Sequence, residues 1–157
     1  MPDVVIAAAI VRRDGELLMV LQGAPGEEPV WSLPGGRAEP GELITEAVAR
    51  EVLEETGIRV LDPGGIAFVA QVDDRAHGWF ATVFTWDVAT WEGQLSPDDS
   101  DRFVHDVAFV PLADAVRHLE AITWHELTAR YLRGELAAGL WLRRVHADGR
   151  AEEEGPF

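Results

Sequence analysis

Three glutamates, Glu51, Glu54 and Glu55, are spaced so that an α-helix would carry all three side chains on one face. Like charges this close repel one another, and a cation between the carboxylates would relieve the repulsion. Hard divalent ions such as Mg²⁺ prefer oxygen ligands of this kind and leave room for the phosphates of a substrate. The spacing therefore predicts a divalent-metal site.

The apolar residues of the same segment indicate where this face points. Ile44, Ala47 and Val48 recur at the helical period on the side of the glutamates, whereas Arg50 and Leu53 point elsewhere. An apolar stripe packs against the core, so we expect the glutamates to continue an inward face. A solvated charged face is the alternative interpretation, and the alignment with the apolar stripe argues against it.

The overall composition limits the classes of partner. The chain has 157 residues, with 28 acidic and 13 basic side chains and a formal charge of −15. This charge opposes binding to duplex nucleic acid and to anionic membranes, both of which attract basic surfaces. A small anionic substrate is compatible with it if a bound metal reverses the local field. The absence of cysteine excludes disulfides and thiolate chemistry.

The order of predicted elements indicates one domain over residues 1–147, followed by a frayed acidic tail over residues 148–157. The apolar run at residues 4–11 is too short to span a bilayer, so we interpret it as a buried strand and expect a cytoplasmic location. Strands and helices mix without a regular βαβ rhythm, which favours a mixed sheet with packed helices. The predicted strands are 4–12, 16–22, 30–33, 58–61, 65–72, 78–89 and 107–110, and the predicted helices are 41–56, 111–121 and 124–140, the last with an interruption at Gly134.

One predicted strand carries an aromatic stripe. Phe80, Thr82, Phe84 and Trp86 alternate along residues 78–89 and so share one face. This face could form a pocket wall, since aromatic rings stack on nucleobases. An ordinary core face is the prediction we favour.

Residues 36–58 resemble the Nudix box at every defined position. Gly36 is followed after five residues by Glu42 and, after seven more, by Arg50-Glu51-Val52-Leu53-Glu54-Glu55-Thr56-Gly57-Ile58. The preceding Trp31-Ser32-Leu33-Pro34-Gly35-Gly36 is similar to the strand and turn that commonly come before the box. The resemblance is sharpest over residues 31–58 and extends more loosely over residues 3–120.

This resemblance implies a fold, a reaction and a set of site residues. The fold would be an α/β/α sandwich around a mixed β-sheet, with a catalytic loop-helix-loop. The reaction would be Mg²⁺- or Mn²⁺-dependent hydrolysis of a nucleoside diphosphate linked to another group. By position, the metal ligands would be Glu51, Glu54, Glu55 and a carbonyl of Gly35 or Gly36, and Arg50 would pair with Glu42.

Two further roles are assigned less directly. In the family an additional acid often precedes the last strand, and here the candidates for general base are Asp98, Asp99, Asp101, His105 and Asp106. We select Asp106 because it comes immediately before the predicted strand. Arg37, inside the loop of the box beside Gly36, is the candidate for contact with substrate phosphate.

The region after the box limits the substrate class. The positions where related subfamilies carry a proline or a tyrosine hold Asp73-Asp74 and Arg75-Ala76-His77. The chain most resembles MutT-like nucleoside triphosphate pyrophosphohydrolases. Alternatives are an ADP-ribose or nucleotide-sugar pyrophosphatase, a non-catalytic nucleotide sensor and an acidic domain that holds Ca²⁺. The expected partner is a small nucleotide rather than a nucleic acid polymer or a membrane, and a homodimer is a further option because dimers are common in the family.

Overall fold

A computed structural model describes residues 3–97 and 103–157. The strands are β1 (Asp3–Ile10), β2 (Arg12–Arg13), β3 (Glu16–Gln22), β4 (Val30–Ser32), β5 (Gly35–Arg37), β6 (Arg59–Asp62), β7 (Gly65–Asp74), β8 (Trp79–Asp87), β9 (Thr90–Glu92), β10 (Val104–Pro111), β11 (Leu140–Val145) and β12 (Ala151–Glu154). The helices are α1 (Ile44–Thr56), α2 (Leu112–Glu120) and α3 (Glu126–Leu132), with a short 3₁₀ turn at Thr123–His125 before α3.

The main sheet is mixed, as predicted. Its six strands lie in the order β12-β11-β7-β8-β1-β5. The β1–β8 and β11–β7 pairs are parallel, and the other three pairs are antiparallel. A second sheet has the order β10-β3-β2, with β4 also paired to β3, and β6 pairs with β9.

The alternation of β1 explains the layered architecture. Ala7 and Ala9 are buried on one face of the sheet with α1, whereas Ala8 and Ile10 are buried on the other face with α2 and α3. A strand covered on both faces must be apolar at successive positions, which is why this segment is an unbroken apolar run. Helices therefore pack on both sides of the sheet, and the predicted sandwich fold is confirmed.

Two element boundaries near the site differ from the prediction. Helix α1 begins at Ile44, three residues later than expected, because Gly41 adopts a left-handed conformation with φ of 83°. The side chain of Glu46 accepts a hydrogen bond from the Leu43 backbone N–H at 2.9 Å and so closes the first turn. Strand β10 begins at Val104, three residues before the predicted start, and it is not the last strand.

The predicted helix over residues 124–140 is helical up to Leu132, and the expected interruption at Gly134 is its end. Helix α3 ends at Leu132, and Gly134 has φ of 74°, a left-handed conformation that ends a helix. Residues from Leu140 onward instead form β11, which pairs in parallel with β7. This pairing joins segments about seventy residues apart, so a local pattern could not indicate it.

The expectation of a frayed tail is wrong, since Ala151–Glu154 forms β12 against β11. The pairing places acidic residues opposite arginines, and Arg143 Nη1 lies 3.3 Å from the Glu153 carboxylate. Phe157 exchanges backbone hydrogen bonds with Leu140 at 3.0 and 3.2 Å. In the described part of the chain, none of the helices has the length and apolar character needed to cross a bilayer.

We expect removal of residues 148–157 to destabilise the fold, because it takes away β12 and the ion pair to Arg143. The loss should be about 2 kcal/mol or more. At roughly 2–4 °C per kcal/mol for a domain of this size, Tm should fall by at least about 4 °C. Calorimetry measures this shift, with Glu154→Gln as a control that keeps the backbone pairing. An unchanged Tm would show that the tail contributes nothing.

Candidate functional site

The turn at Gly35 and Gly36 brings backbone close to both β1 and α1. A Cβ atom on Gly35 would overlap the carbonyl oxygen of Ala7. A Cβ atom on Gly36 would lie 2.5–2.6 Å from the carboxylate atoms of Glu51. Glycine is therefore required at position 35, where the contact is with backbone, whereas at position 36 the Glu51 carboxylate would have to move. The loop backbone and a helix carboxylate line the same cleft.

The three helix glutamates lie at different depths in this cleft. Glu55 is 6 % exposed, and its Oε1 accepts a hydrogen bond from the Gly35 N–H at 2.7 Å. The side chain of Glu51 is 15 % exposed against Gly36, and that of Glu54 is 52 % exposed. Glu51 and Glu55 thus point inward, as the apolar stripe predicts, and Glu54 lies at the rim.

Arg50 connects the loop to the helix. Its Nε and Nη2 donate to the two carboxylate oxygens of Glu42 at 2.7 and 3.0 Å, and Nη2 also donates to the Arg37 carbonyl at 3.0 Å. Its Nη1 donates to Glu51 at 2.7 Å and lies 3.4 Å from a Glu54 oxygen. The expected Arg50–Glu42 pair is therefore present, and a planar guanidinium suits this bidentate contact.

These contacts shift the pKa values of the charged residues in the site in different directions. Hydrogen bonds from Arg50 and from the Glu39 N–H lower the pKa of Glu42 to about 2, and the pairing raises the pKa of Arg50. Burial raises the pKa of Glu51, and although Arg50 opposes this change, the nearby charges of Glu54 and Glu42 add to it. Among the described residues that line the cleft, the glutamates outnumber the two arginines, Arg37 and Arg50, and a bound cation would relieve this excess of negative charge.

The donor atoms fit a hard divalent cation. The cleft, of about 630 Å³, presents carboxylate oxygens and the backbone of Gly35 and Gly36, which are the ligand types that Mg²⁺ and Mn²⁺ take. Among the described residues, no three Asp, Glu, His or Cys side chains converge on one point as they stand. Oxygens of Glu55 and Glu51 are engaged by the Gly35 N–H and by Arg50, so cation binding requires these carboxylates to turn.

The other predicted site residues differ in their position relative to the cleft. Arg37 lines the cleft, and its guanidinium makes no ion pair within residues 3–97 and 103–157. Asp106 is exposed, accepts a hydrogen bond from the Val107 N–H at 2.8 Å and does not line the cleft. His105 is also exposed, with Nε2 3.1 Å from the Gly23 carbonyl oxygen. Asp98, Asp99 and Asp101 lie outside the described residues.

A second cavity, of about 400 Å³, adjoins the cleft through Gln22, Gly35 and Gly36, which line both. Its floor is the sheet face that packs toward α3. Strand pairing aligns Phe68, Thr85, Ala8 and Gly35 across β7, β8, β1 and β5. Thr85 is thus two strand spacings, roughly 10 Å, from the glycine turn. An elongated ligand could therefore extend from one compartment into the other.

The cavity uses the face of β8 opposite to the predicted aromatic stripe. Val83 and Thr85 line it, whereas Trp86 is buried in the core beneath α1 and Phe84 is half-buried on that same side. Of the residues beyond the box, Trp124 lines the cavity and stacks on Trp79 with ring centroids 3.4 Å apart. The small side chains that alternate with the aromatic ones were the sequence signal for a cavity on this face.

Comparisons with known proteins agree with this arrangement. A family model described as the NUDIX domain matches residues 1–132. A MutT-like protein of Streptomyces ambofaciens is 49% identical over 125 residues, which are 73% of this chain and 77% of the relative. CTP pyrophosphohydrolase of Escherichia coli (strain K12) is 28% identical over 128 residues, 74% of this chain and 93% of that protein.

Further comparisons show that some relatives are longer than this chain and that a solved structure has the same fold. Two longer relatives, from Mus musculus and Caenorhabditis elegans, are matched over only 24% and 26% of their own length. The crystal structure of a MutT protein from Bacillus halodurans superposes with a TM-score of 0.74 at 20% identity, covering 96% of each chain. This likeness shows that the two chains share a fold.

We expect Arg50→Lys to destabilise the protein by about 2 kcal/mol, because an ammonium cannot keep the bidentate contact with Glu42 and the bond to the Arg37 carbonyl. Denaturant unfolding measures the change. Arg59→Lys is the matched control, since Arg59 makes only an exposed contact of 3.9 Å with Glu92. Equal stability of the two variants would contradict the assigned role of Arg50.

The same pair predicts an acid-dependent loss of stability. The pKa of Glu42 is about 2 in the fold against an ordinary 4.5, so its contribution is complete above pH 4.5 and disappears as the pH falls toward 2. In Glu42→Gln, this part of the acid dependence should be missing from Tm measured between these pH values. A wild-type and variant Tm that fall in parallel would refute the linkage.

Proposed function

Since the chain belongs to the Nudix family of hydrolases, which act on phosphorus-containing anhydrides, we propose that it hydrolyses a nucleoside triphosphate to a monophosphate and pyrophosphate. The observation that carries this proposal is the junction of two unlike compartments at Gly35 and Gly36. One compartment is lined with carboxylates and the other is mainly apolar. A nucleotide has the matching division into a charged phosphate chain and a flat base.

The dimensions support this assignment. Roughly 10 Å separate the glycine turn from Thr85 on the cavity floor, enough for a sugar and a base to lie between them. Apolar walls with a few polar groups are typical of small-molecule sites. The names of two relatives, a CTP pyrophosphohydrolase and a MutT-like protein, favour the same substrate class.

The residues of the cleft receive the following roles in this proposal. Glu51, Glu54, Glu55 and a carbonyl of Gly35 or Gly36 would hold Mg²⁺ or Mn²⁺. The bound metal would neutralise phosphate charge and lower the pKa of the attacking water. Arg37 would contact phosphate from the edge of the cleft. Arg50 would keep the loop at the correct distance from the helix.

The proposed reaction needs no covalent intermediate. A water oxygen forms a bond to the α- or the β-phosphorus, and the bond from that phosphorus to the oxygen that bridges the two breaks. Pyrophosphate leaves after attack at the α-phosphorus, and the nucleoside monophosphate leaves after attack at the β-phosphorus. The water proton passes to one of the three helix glutamates or to an acid of the loop before β10, in which Asp98, Asp99 and Asp101 lie outside the described residues. Asp106 stays a candidate for the base, although its side chain does not line the cleft.

Alternatives remain distinguishable by their products. ADP-ribose or a nucleotide sugar would use the same cleft and release a nucleoside monophosphate and a sugar phosphate instead of pyrophosphate. A nucleotide sensor would bind without turnover, but the complete set of box residues disfavours it. A single Nudix domain, a cytoplasmic location and a homodimer stay predictions.

The direct test is product analysis with Mg²⁺ or Mn²⁺ over nucleoside triphosphates, oxidised dGTP, ADP-ribose, nucleotide sugars and dinucleoside polyphosphates. We expect pyrophosphate release from triphosphates. Glu54→Gln and Glu55→Gln should each lower kcat by about 10²-fold or more. Glu92→Gln, an exposed glutamate outside the cleft, is the control. Full turnover in both cleft variants would overturn the mechanism.

Metal binding can be tested without turnover. Mg²⁺ or Mn²⁺ should raise the Tm of the wild-type protein, since a ligand that binds only the folded state stabilises it. The increase should be smaller in Glu51→Gln and Glu55→Gln, and chelation should abolish hydrolysis. An equal increase in all three proteins would place the metal elsewhere.

A further inference from the structure

Two largely buried threonines line the apolar cavity, and their hydroxyls are not among the fully enclosed side-chain atoms that lack a partner in the described part of the chain. Thr85 is 1% exposed and Thr128 is 4% exposed, and both line the cavity. Neither side chain makes a hydrogen bond to any residue in 3–97 or 103–157. Buried hydroxyls in folded proteins are normally satisfied, because leaving one without a partner is costly. Since both residues line the cavity, a ligand bound there could supply hydrogen-bond partners to both hydroxyls in place of water.

The two hydroxyls approach the cavity from different elements. Thr85 belongs to β8 in the sheet floor, and Thr128 belongs to α3, which packs over that floor. Around them the walls are apolar, with Phe68, Val83 and Leu127. A flat ring between floor and helix would therefore be surrounded by apolar groups while its polar edge meets hydroxyls.

Besides the two threonines, Gln22 and Ser32, a further polar side chain lines the cavity, and it is uncharged near neutral pH. His125 lines the cavity, its imidazole makes no hydrogen bond within the described residues, and burial lowers its pKa to about 4. No Asp, Glu, Lys or Arg occurs among the described residues that line the cavity. The ligand group that fits is therefore an uncharged heteroaromatic ring.

We propose that the Thr85 and Thr128 hydroxyls bind the polar edge of the substrate nucleobase and so determine which nucleosides the site accepts. This inference rests on the proposed function, since it places the base of the nucleotide in the cavity. A hydroxyl can donate or accept by rotating, so the pair can bind carbonyl, ring-nitrogen or amino edges. Recognition then combines ring shape with an adaptable pair of hydrogen bonds.

Thr85→Val and Thr128→Val test the proposal, because valine keeps the shape of threonine and removes the hydroxyl. Titration calorimetry would use the four ribonucleoside monophosphates with Mg²⁺, which a pyrophosphohydrolase binds as products. We expect each variant to weaken binding of at least one monophosphate by about 5- to 30-fold. In turnover, KM should rise while kcat stays near the wild-type value.

Two controls separate base recognition from a structural role. Ribose 5-phosphate lacks a base, so the variants and the wild type should bind it equally. Thr82→Val, on the opposite face of β8, should bind all monophosphates normally. Because each cavity variant removes a hydroxyl without a partner, its Tm should equal or exceed that of the wild type.

The outcomes distinguish this inference from the proposed function. Unchanged monophosphate binding in both cavity variants, with normal binding by the wild type, overturns the inference alone. A lowered Tm shows that the hydroxyls have structural partners and also overturns it. A wild-type protein that neither binds nor hydrolyses any nucleotide overturns the proposed function itself.

Discussion

The bidentate ion pair between Arg50 and Glu42 is the interaction on which the site depends. It holds the acidic loop after β5 against the first turns of α1, and the same guanidinium also binds Glu51 and the Arg37 carbonyl. The loop backbone can therefore lie beside helix carboxylates that would otherwise repel it. A partly buried cluster of this charge is stable only with such a partner, and a divalent cation would complete the compensation.

Small residues on β1 and β5 leave room for two compartments beside the Arg50–Glu42 pair. Ala7 contacts Gly35 closely on β5, and Ala8 leaves open space on the face toward α3. The same pair of strands therefore borders the acidic cleft at one end and the apolar cavity at the other. Helix α1 borders the acidic cleft on one face of the sheet, and α3 borders the apolar cavity on the other face. The two-sided packing of helices on the sheet therefore also separates the two compartments.

The sequence predicts what is local and misses what is formed by distant pairing. The box residues act within one loop and one helix, so the inward Glu51 and Glu55 and the Arg50–Glu42 pair could be foreseen. The cavity depends on the register of β8 against β1 and on α3, so the alternation along β8 indicated only a face for Thr85, and Thr128 carried no sequence signal. The apolar residues after Gly134 fit a helix or a strand equally well, and pairing with β7 decided for a strand. Asp106 was chosen by proximity to a strand, but its side chain does not line the cleft.

In the proposed function, the glutamate cleft and the apolar cavity form one metal-dependent nucleotide site. The most direct measurement is a crystal structure with Mn²⁺ and a non-hydrolysable nucleoside triphosphate analogue, with the metal located by anomalous diffraction. We expect Mn²⁺ among Glu51, Glu54 and Glu55, phosphates beside Gly35 and Gly36, and the base between β8 and α3. Metal bound elsewhere, or a base outside the cavity while the phosphates occupy the cleft, would contradict this proposal.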